Sequence, residues 1–190
     1  MKNIVLFGAP GAGKGTQAKL LKDRYNLVHI STGEVFRYNI KKQTELGNLA
    51  KTYIDKTQLV PDDVTIKMLI NEIERFPDAK GIIFDGFPRT EHQADSLSDF
   101  LSSKGDKVDA MIALEVPDPV LIERILIRGK SSGRVNDQSE DRIRIRLENY
   151  HENTDILKDY YQKQGKYHGI DGVGTVEDIA KRIQQVYDKL

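Results

Sequence analysis

The sequence predicts an α/β fold in which a parallel five-stranded sheet carries helices on both faces. Apolar runs with strand character alternate with helical patterns along the whole chain, which favours a covered parallel sheet. A glycine-rich stretch at 8–16 directly follows the first apolar run. A second apolar run, at 82–84, ends in an aspartate. Because ligands of such folds bind beyond the carboxyl ends of the strands, we expect the functional residues at that edge.

The glycine-rich stretch has the features of a phosphate-binding loop. It lies between the first strand, 4–7, and a helix beginning near Lys14, and it reads Gly8-Ala9-Pro10-Gly11-Ala12-Gly13-Lys14-Gly15-Thr16. Glycines let several backbone N–H groups turn toward one anion, and the helix N-terminus adds partial positive charge. Lys14 would place its charge on the outer phosphates. Gly15 stands where the common pattern has Ser or Thr, so the hydroxyl comes from Thr16; this disfavours loops of the GTPase and motor type.

The composition limits the classes of function. A length of 190 residues suits one domain, and 29 basic against 29 acidic residues give no overall attraction to nucleic acid or membrane. The chain has no cysteine, which excludes a disulfide framework and a cysteine zinc site; we expect no structural zinc. No apolar run approaches the roughly 18 residues of a membrane span, and strand-like sequence begins by Asn3. These features predict a cytoplasmic protein, and we expect it to be a monomer.

The first third of the chain predicts a strand and helix followed by a small helical segment. A core-facing stripe marks the helix 14–25, and 27–30 forms the second strand, in which His29 is expected to have no catalytic role. Ser31 and Glu34 have capping-box spacing at the next helix start. The segment 31–60, with a further helix over 45–56, has few apolar residues and resembles a mobile flap with a weak core.

The middle of the chain supplies an acid at a strand end. Residues 81–85 predict a buried strand, and its terminal Asp85 is expected to hold magnesium, directly or through water. Before this strand, Asp62 or Asp63 is expected to cap or charge the first turn of a helix. After it, Gly86-Phe87-Pro88-Arg89 leads into a helix over 91–104 with Gln93 on its first turn.

The remaining elements complete the alternation. A strand at 110–116 precedes a helix at 119–128, on which Arg124 and Arg128 share one face. A polar loop, 129–137, contains Arg134 and separates this helix from a long one over 139–164. The last strand is 167–171. Thr175 then caps a final helix, whose expected apolar stripe is Val176, Ile179, Ala180, Ile183, Val186 and Leu190.

The candidate site is rich in cations and has no convincing general base. Its cations are Lys14, Arg37, Arg89, Arg124, Arg128, Arg134 and Arg146. A kinase that acts on a hydroxyl benefits from a base, whereas a phosphate acceptor is already ionised at neutral pH. Two phosphorylated substrates bring roughly six negative charges, which several arginines and magnesium can balance. The pattern therefore favours transfer between two phosphorylated substrates by alignment and charge stabilisation.

Taken together, the motifs resemble the adenylate kinase family over essentially the whole chain. The resemblance is carried by the glycine-rich stretch, His29-Ile30-Ser31-Thr32-Gly33, Asp85-Gly86-Phe87-Pro88-Arg89-Thr90 with Gln93, and Gly133-Arg134-Val135. The hydroxyl at Thr16 is normal for that family. The short loop at 129–137 is similar to the short-lid form, which lacks the longer, cysteine-bearing lid. The resemblance implies a P-loop NTPase-type fold with an AMP-binding flap and a short lid.

The resemblance also implies roles for individual residues. ATP would be bound by Gly11, Ala12, Gly13, Lys14, Gly15, Thr16, Arg124, Arg128 and Gly174. AMP would be bound by Thr32, Arg37, Gln58, Leu59, Val60, Gly86, Phe87, Pro88, Arg89, Gln93, Arg134 and Arg146. The catalytic set would be Lys14, Arg89, Arg128, Arg134, Asp137 and Arg146, with Asp85 organising water around Mg²⁺. A single domain would comprise a core of 1–30, 61–128 and 138–190, an AMP flap of 31–60 and a lid of 129–137.

Two departures and three alternatives accompany this interpretation. Glu34 replaces an aspartate common in the family, and Asn136 replaces the first of two lid aspartates, which leaves Asp137 as the better lid acid. A UMP/CMP kinase shares the fold, but Thr32 and Thr90 favour AMP. A GTPase-like switch would need a guanine-specifying Asn-Lys-x-Asp sequence, which is absent. The intact cations disfavour a catalytically dead nucleotide sensor.

Overall fold

The computed structural model contains a five-stranded sheet in which every pair of neighbouring strands is parallel. It describes residues 1–56, 58–132, 137 and 139–190, without the side chains of 131–132 and 153–155. The strands are β1 (Ile4–Gly8), β2 (Val28–Ser31), β3 (Ile82–Asp85), β4 (Ala110–Glu115) and β5 (Tyr167–Asp171). Their order in the sheet is β2-β3-β1-β4-β5. The predicted α/β class and the five parallel strands are thus confirmed.

Eight helices belong to the described part of the chain. They are α1 (Lys14–Tyr25), α2 (Thr32–Lys41), α3 (Glu45–Ile54), α4 (Asp62–Ile73), α5 (Glu91–Ser103), α6 (Asp118–Ser132), α7 (Glu140–Lys163) and α8 (Val176–Tyr187). None of them, within the residues described, is both long enough and apolar enough to cross a membrane.

Two apolar clusters cover the two faces of the sheet. Along β1, Val5 and Phe7 belong to one cluster, while Ile4 and Leu6 belong to the other. This division follows from the period of two in a strand, which sends successive side chains to opposite faces. Both faces are buried, which explains why β1 is a continuous apolar run.

The sheet register brings the carboxyl ends of three strands together. Gly8 at the end of β1 pairs with Leu114 of β4, and Leu6 pairs with Asp85 at the end of β3. Asp85 in turn pairs with Ser31 at the end of β2. The loops that follow β1, β2 and β3 therefore begin side by side, which positions the candidate site.

Helices α2 and α3 form the segment that was expected to be a flap. Val35 of α2 and Ala50 of α3 are buried in the same cluster as Val64 and Met68 of α4. Within its described residues, the segment therefore packs on the main core through a few small or branched side chains. Its other residues are mostly partly or fully exposed.

Several local predictions were wrong. Helix α6 continues to Ser132, so residues 129–132 are helical and not part of a loop. The Asp137 carbonyl oxygen lies 2.3 Å from where a Cβ of residue 129 would be, so only glycine avoids a clash there. The Ser31–Glu34 capping box does not form, since Ser31 ends β2 and its side chain makes no cap bond. Thr175 does cap α8, but Val176 in its expected stripe is exposed, as is Leu190 after it.

Candidate active site

The glycine-rich loop joins β1 to α1 and wraps around the start of the helix. Gly11 has a φ of +85°, and a Cβ there would lie 2.7 Å from Cγ1 of Ile125 in α6. Only glycine combines this left-handed backbone with so close an approach. Gly13 is the N-cap residue of α1 and has a left-handed conformation. Because no side chain caps the helix there, its first N–H groups are suited to binding an anionic ligand.

Lys14 is folded back into this loop. Its Nζ donates to the carbonyl oxygens of Gly8 at 2.6 Å and Ala9 at 3.1 Å. Desolvation lowers the pKa of Lys14 to about 8; the charge of Asp85 opposes this, and the positive charges of Arg89, Arg128 and Arg146 reinforce it. The same electrostatic couplings show that the loop, the end of β3 and helices α6 and α7 bring their charged side chains to one place.

This lowered pKa predicts that binding of MgATP takes up protons near pH 8.5. In the free protein Lys14 is largely neutral above its pKa of about 8, whereas the triphosphate favours the ammonium form. The phosphates contribute little, because their last pKa lies well below this pH. Calorimetry in two buffers of different ionisation enthalpy should detect the uptake at pH 8.5 and find much less at pH 7.0.

The arginine substitution Lys14→Arg is the matched control for proton uptake. Arginine stays protonated at both values of pH, so its residual MgATP binding should show no such uptake. Equal uptake by the parent protein and the Lys14→Arg variant would assign the protons to another group and contradict the prediction.

Asp85 ends β3 beside two residues of the neighbouring strand and helix. Its Oδ2 lies 3.3 Å from Nε2 of His29, and both side chains are nearly buried. Its backbone carbonyl oxygen accepts from Oγ1 of Thr32 at 3.0 Å. Sequence reasoning gave His29 no functional role, yet its imidazole lies within hydrogen-bonding distance of this carboxylate. The register of β2 on β3, which sequence alone did not provide, determines this contact.

A second group of predicted residues surrounds the turn after β3. Nε of Arg89 donates to the Gly86 carbonyl oxygen at 2.9 Å. Gly86 has a φ of +79°, and a Cβ there would lie 2.6 Å from Oγ1 of Thr32. Nη1 of Arg37 lies 3.1 Å from the corresponding Cβ position of Gly33. The structure thus brings Thr32, Gly86 and Arg89 together, while Arg37 lies over Gly33 on the helix that begins at Thr32.

Part of the Arg89 side chain is exposed to solvent, although protein surrounds its guanidinium closely enough to desolvate it. Desolvation by the surrounding protein, followed by the charge of Arg146, lowers the pKa of Arg89, while Asp85 raises it. An arginine is nevertheless charged at neutral pH. The mutual repulsion of the Arg89 and Arg146 charges favours the binding of an anion near both.

The other residues predicted to bind AMP differ in exposure. Phe87, Pro88 and Gln93 are buried beneath the turn that follows β3, whereas Gln58 and Leu59 are exposed and Val60 is partly buried just before α4. Gln93 is held by hydrogen bonds on both sides of its amide, to the Arg89 backbone N–H and to Asp62. A buried, oriented amide is suited to hydrogen bonding with one edge of a base.

A buried carboxylate joins α6 to α7. Oδ2 of Asp137 accepts from Nε of Arg128 at 2.8 Å, and Oδ1 accepts from Nη1 of Arg146 at 2.7 Å. Burial alone raises the pKa of Asp137, but the hydrogen bonds and charges of the two arginines outweigh it and hold this pKa below its usual value. Asp137 therefore positions the two arginines. Arg134, also predicted here, lies outside the described residues, as does Asn136.

The predicted site for the ATP base lies one turn earlier on α6 than Arg128. Nη2 of Arg124 donates to the Gly172 carbonyl oxygen at 3.1 Å, in the loop between β5 and α8 that contains Gly174. Gln17 of α1 is buried, and its Nε2 donates to the Val176 carbonyl oxygen at 2.9 Å after the same loop. Sequence reasoning missed Gln17; its place on the first turn after the glycine-rich loop was the available signal.

The acidic residues of the site favour a Mg²⁺ ion that is held mainly by the phosphates of a bound substrate. Among the residues whose side chains are described, no group of three His, Asp or Glu residues could hold a metal ion. The charge of Asp85 acts on Lys14, whereas the Asp137 carboxylate is already paired with Arg128 and Arg146. Mg²⁺ commonly binds through one or two carboxylates, several waters and substrate phosphates. The single carboxylate of Asp85 is consistent with this mode of binding.

Comparisons with known proteins agree with the geometry. The family model described as "Adenylate kinase" matches residues 6–166. The chain is 56% identical over 190 residues to an adenylate kinase of Flavobacterium psychrophilum, with both chains covered completely. It is 52% identical to one of Flavobacterium johnsoniae and 48% identical to one of Bacteroides thetaiotaomicron, again over the full length of both chains.

Proposed function

The chain belongs to the adenylate kinase family, and we propose that the cationic cluster at the carboxyl edge of its sheet performs the phosphoryl transfer from ATP to AMP. The enzyme is a phosphotransferase that converts ATP and AMP reversibly into two ADP. One observation supports the residue assignment best. The charges of Arg89, Arg128 and Arg146 all lower the pKa of Lys14, and the charge of Asp85 raises it, so these groups lie around one place. This is the distribution of charge that two facing nucleotides require.

The glycine-rich loop and α6 are proposed to bind ATP. Backbone N–H groups of Gly11, Ala12, Gly13, Gly15 and Thr16 turn toward the phosphates, and Lys14 exchanges its two loop carbonyl acceptors for phosphate oxygens. Arg124 lies next to the loop with Gly174 and contacts the adenine there. Arg128, held by Asp137, reaches the outer phosphates.

The flap and the turn after β3 are proposed to bind AMP. Its phosphate meets Arg37, Arg89 and Arg146, which are supplied by three different elements and can surround one anion. Its base meets the segment before α4 and the turn before α5. The residues assigned to the base and sugar are Thr32, Gln58, Leu59, Val60, Gly86, Phe87, Pro88 and Gln93.

The chemistry needs positioning more than proton transfer. The acceptor is a phosphate oxygen of AMP that carries charge at neutral pH, so no general base is required. It attacks the terminal phosphorus of ATP in line with the departing ADP. Arg89, Arg128 and Arg146 are oriented by hydrogen bonds before the substrates bind, so they stabilise the transferring group at little reorganisation cost.

Magnesium fits the site as a partner of the ATP phosphates. Asp85 would hold it, through water, with the Thr16 hydroxyl near the same phosphate oxygens. When bound, Mg²⁺ neutralises phosphate charge and polarises the phosphorus–oxygen bonds. His29 restrains the Asp85 carboxylate from the neighbouring strand and so keeps an oxygen directed toward the cleft.

Closure of two segments is proposed to exclude water. The flap, 31–60, and the lid, 129–137, would move against a core of 1–30, 61–128 and 138–190. Arg134 would reach the reacting phosphates from the lid. Water would otherwise compete with AMP for the phosphoryl group, so closure protects the reaction.

An acceptor assay tests the proposed substrate and metal. We expect ADP from MgATP with AMP, far slower reaction with UMP, CMP or GMP, and loss of activity when EDTA removes the metal. Restoration by excess Mg²⁺ is the control for chelation itself. Faster turnover of UMP or CMP would retain the fold and mechanism but contradict the acceptor assignment.

We also propose that the enzyme acts as a cytoplasmic monomer on free ATP, ADP and AMP, without nucleic-acid or membrane partners. Its balanced charge, 29 basic against 29 acidic residues, supports the absence of a nucleic-acid partner. Sedimentation at working concentration and cell fractionation test these proposals.

A further inference from the structure

The amide of Gln93 is held in one orientation by groups that tolerate no exchange of its oxygen and nitrogen. Its Oε1 accepts from the Arg89 backbone N–H at 2.8 Å, and its Nε2 donates to Oδ1 of Asp62 at 2.6 Å. A backbone N–H can only donate and a carboxylate can only accept. In the flipped amide, two donors would face each other at Arg89 and two acceptors at Asp62. The environment therefore fixes the assignment.

Thr90 extends the same network and fixes its direction. The Gln93 backbone N–H donates to Oγ1 of Thr90 at 3.2 Å, where Thr90 caps α5. The hydroxyl hydrogen of Thr90 is directed instead to Oδ2 of Asp62 at 2.6 Å. Both carboxylate oxygens of Asp62 thus accept from residues of the α5 start. Asp62 also occupies the first turn of α4, which gives it a rigid backbone.

We propose that Asp62 is a specificity-determining residue, because it fixes the order of donor and acceptor that Gln93 presents to the base of the nucleoside monophosphate. This inference rests on the proposed contact between Gln93 and AMP. A glutamine amide has two N–H hydrogens and two acceptor lone pairs, and the two hydrogen bonds above use one of each. One donor and one acceptor remain for a planar base.

Adenine and hypoxanthine offer opposite patterns to such an amide. Adenine presents the 6-amino donor beside the N1 acceptor, whereas hypoxanthine presents the O6 acceptor beside the N1–H donor. A freely rotating amide could serve either base by exchanging its oxygen and nitrogen. An amide fixed by Asp62 and Arg89 pairs with adenine, and it would leave polar groups of hypoxanthine opposed or unpaired.

The experiment compares AMP with inosine monophosphate, which differs from AMP only in this edge. The variant Asp62→Asn keeps the shape but can donate as well as accept, so the flipped amide is tolerated at that end. We expect the preference for AMP over inosine monophosphate in kcat/KM to fall at least about tenfold, the equivalent of one lost orienting hydrogen bond. KM for ATP should stay within twofold. Competition binding supplies the same ratio where inosine monophosphate turns over too slowly.

Asp63→Asn is the matched control. Asp63 lies on the same first turn and is 84% exposed, so its replacement removes the same charge without touching the Gln93 amide. Its nucleotide preference should equal that of the parent. Thr90→Val, which removes the hydroxyl donor to Asp62, provides a second test if Asp62→Asn does not fold.

Gln93→Leu separates failure of this inference from failure of the proposed AMP site. If Gln93→Leu lowers the preference but Asp62→Asn leaves it within twofold of the parent, Asp62 has no orienting role and the inference is wrong. If Gln93→Leu itself leaves the preference unchanged, Gln93 does not contact the base, and the proposed AMP contact fails together with the inference. In the Gln93→Leu background, the expected result is that Asp62→Asn has no further effect on preference.

Discussion

Replacing Arg89 by alanine should lower kcat by several orders of magnitude while the fold survives. The guanidinium lies in the cleft near Arg146 and Lys14, where the proposed site places phosphate charge. Removing one pre-oriented donor to developing charge costs about 10²–10³ in kcat, and catalytic arginines in phosphoryl transfer contribute about 10³–10⁵. Arg89 reaches solvent and belongs to neither apolar cluster, so its loss removes little packing.

The measurement is steady-state turnover with MgATP and AMP, together with thermal unfolding of each variant. Arg24→Ala is the matched control, because Arg24 is exposed in the last turn of α1, at the end opposite the glycine-rich loop. Arg89→Lys should remain strongly impaired, since a lysine cannot reproduce a bidentate contact. Turnover of Arg89→Ala within a few-fold of the parent would show that the site assignment is wrong.

Sequence predicted the fold and the family well because both depend on local patterns. Continuous apolar runs of the kind seen in β1 appear only where both faces of a sheet are covered, and the structure covers both. Gly11 and Gly86 mark backbone conformations that other residues adopt at a cost, so their motifs carry geometry directly.

Contacts between distant elements were beyond sequence reasoning. The approach of His29 to Asp85 depends on strand register, and the bond of Gln17 to Val176 joins α1 to α8 across the fold. The extension of α6 through Gly129 runs against the low helix propensity of glycine, and the nearby Asp137 backbone explains why glycine is accommodated there. Such features require tertiary structure, which overrides local preference.

The carboxylate of Asp137 orients the guanidinium groups of Arg128 and Arg146 before any nucleotide binds. It is 1% exposed, whereas the two arginines are about one-third exposed. Breaking a fully buried pair costs about 3–5 kcal/mol, and the partial exposure of the arginines reduces this for Asp137→Asn to about 2 kcal/mol of unfolding free energy. The amide also leaves two neighbouring guanidinium groups without a shared negative charge, so we expect a clear fall in kcat.

The lowered pKa of Asp137 predicts how the stability difference between the parent and Asp137→Asn changes with pH. The pKa of Asp137 is lowered in the folded state, so its contribution to stability is present above the unfolded-state pKa near 4 and is lost as pH falls through the folded-state value. The free energy of unfolding of Asp137→Asn should therefore differ most from the parent at neutral pH and converge with it in acid. Chemical denaturation at a series of pH values measures this difference.

Anions should rescue the Asp137→Asn variant more than they stabilise the parent. In the parent, a bound phosphate shares the two arginines with Asp137, whereas in the variant it supplies the negative charge that they lack. ADP or inorganic phosphate should therefore raise the Tm of the variant by more than that of the parent. Asp141→Asn is the control, since Asp141 is an exposed first-turn acid of α7. Equal stabilisation of parent and variant by ADP would mean that the arginines held by Asp137 do not meet the phosphates, and the proposed role of α6 and α7 in binding them would fail.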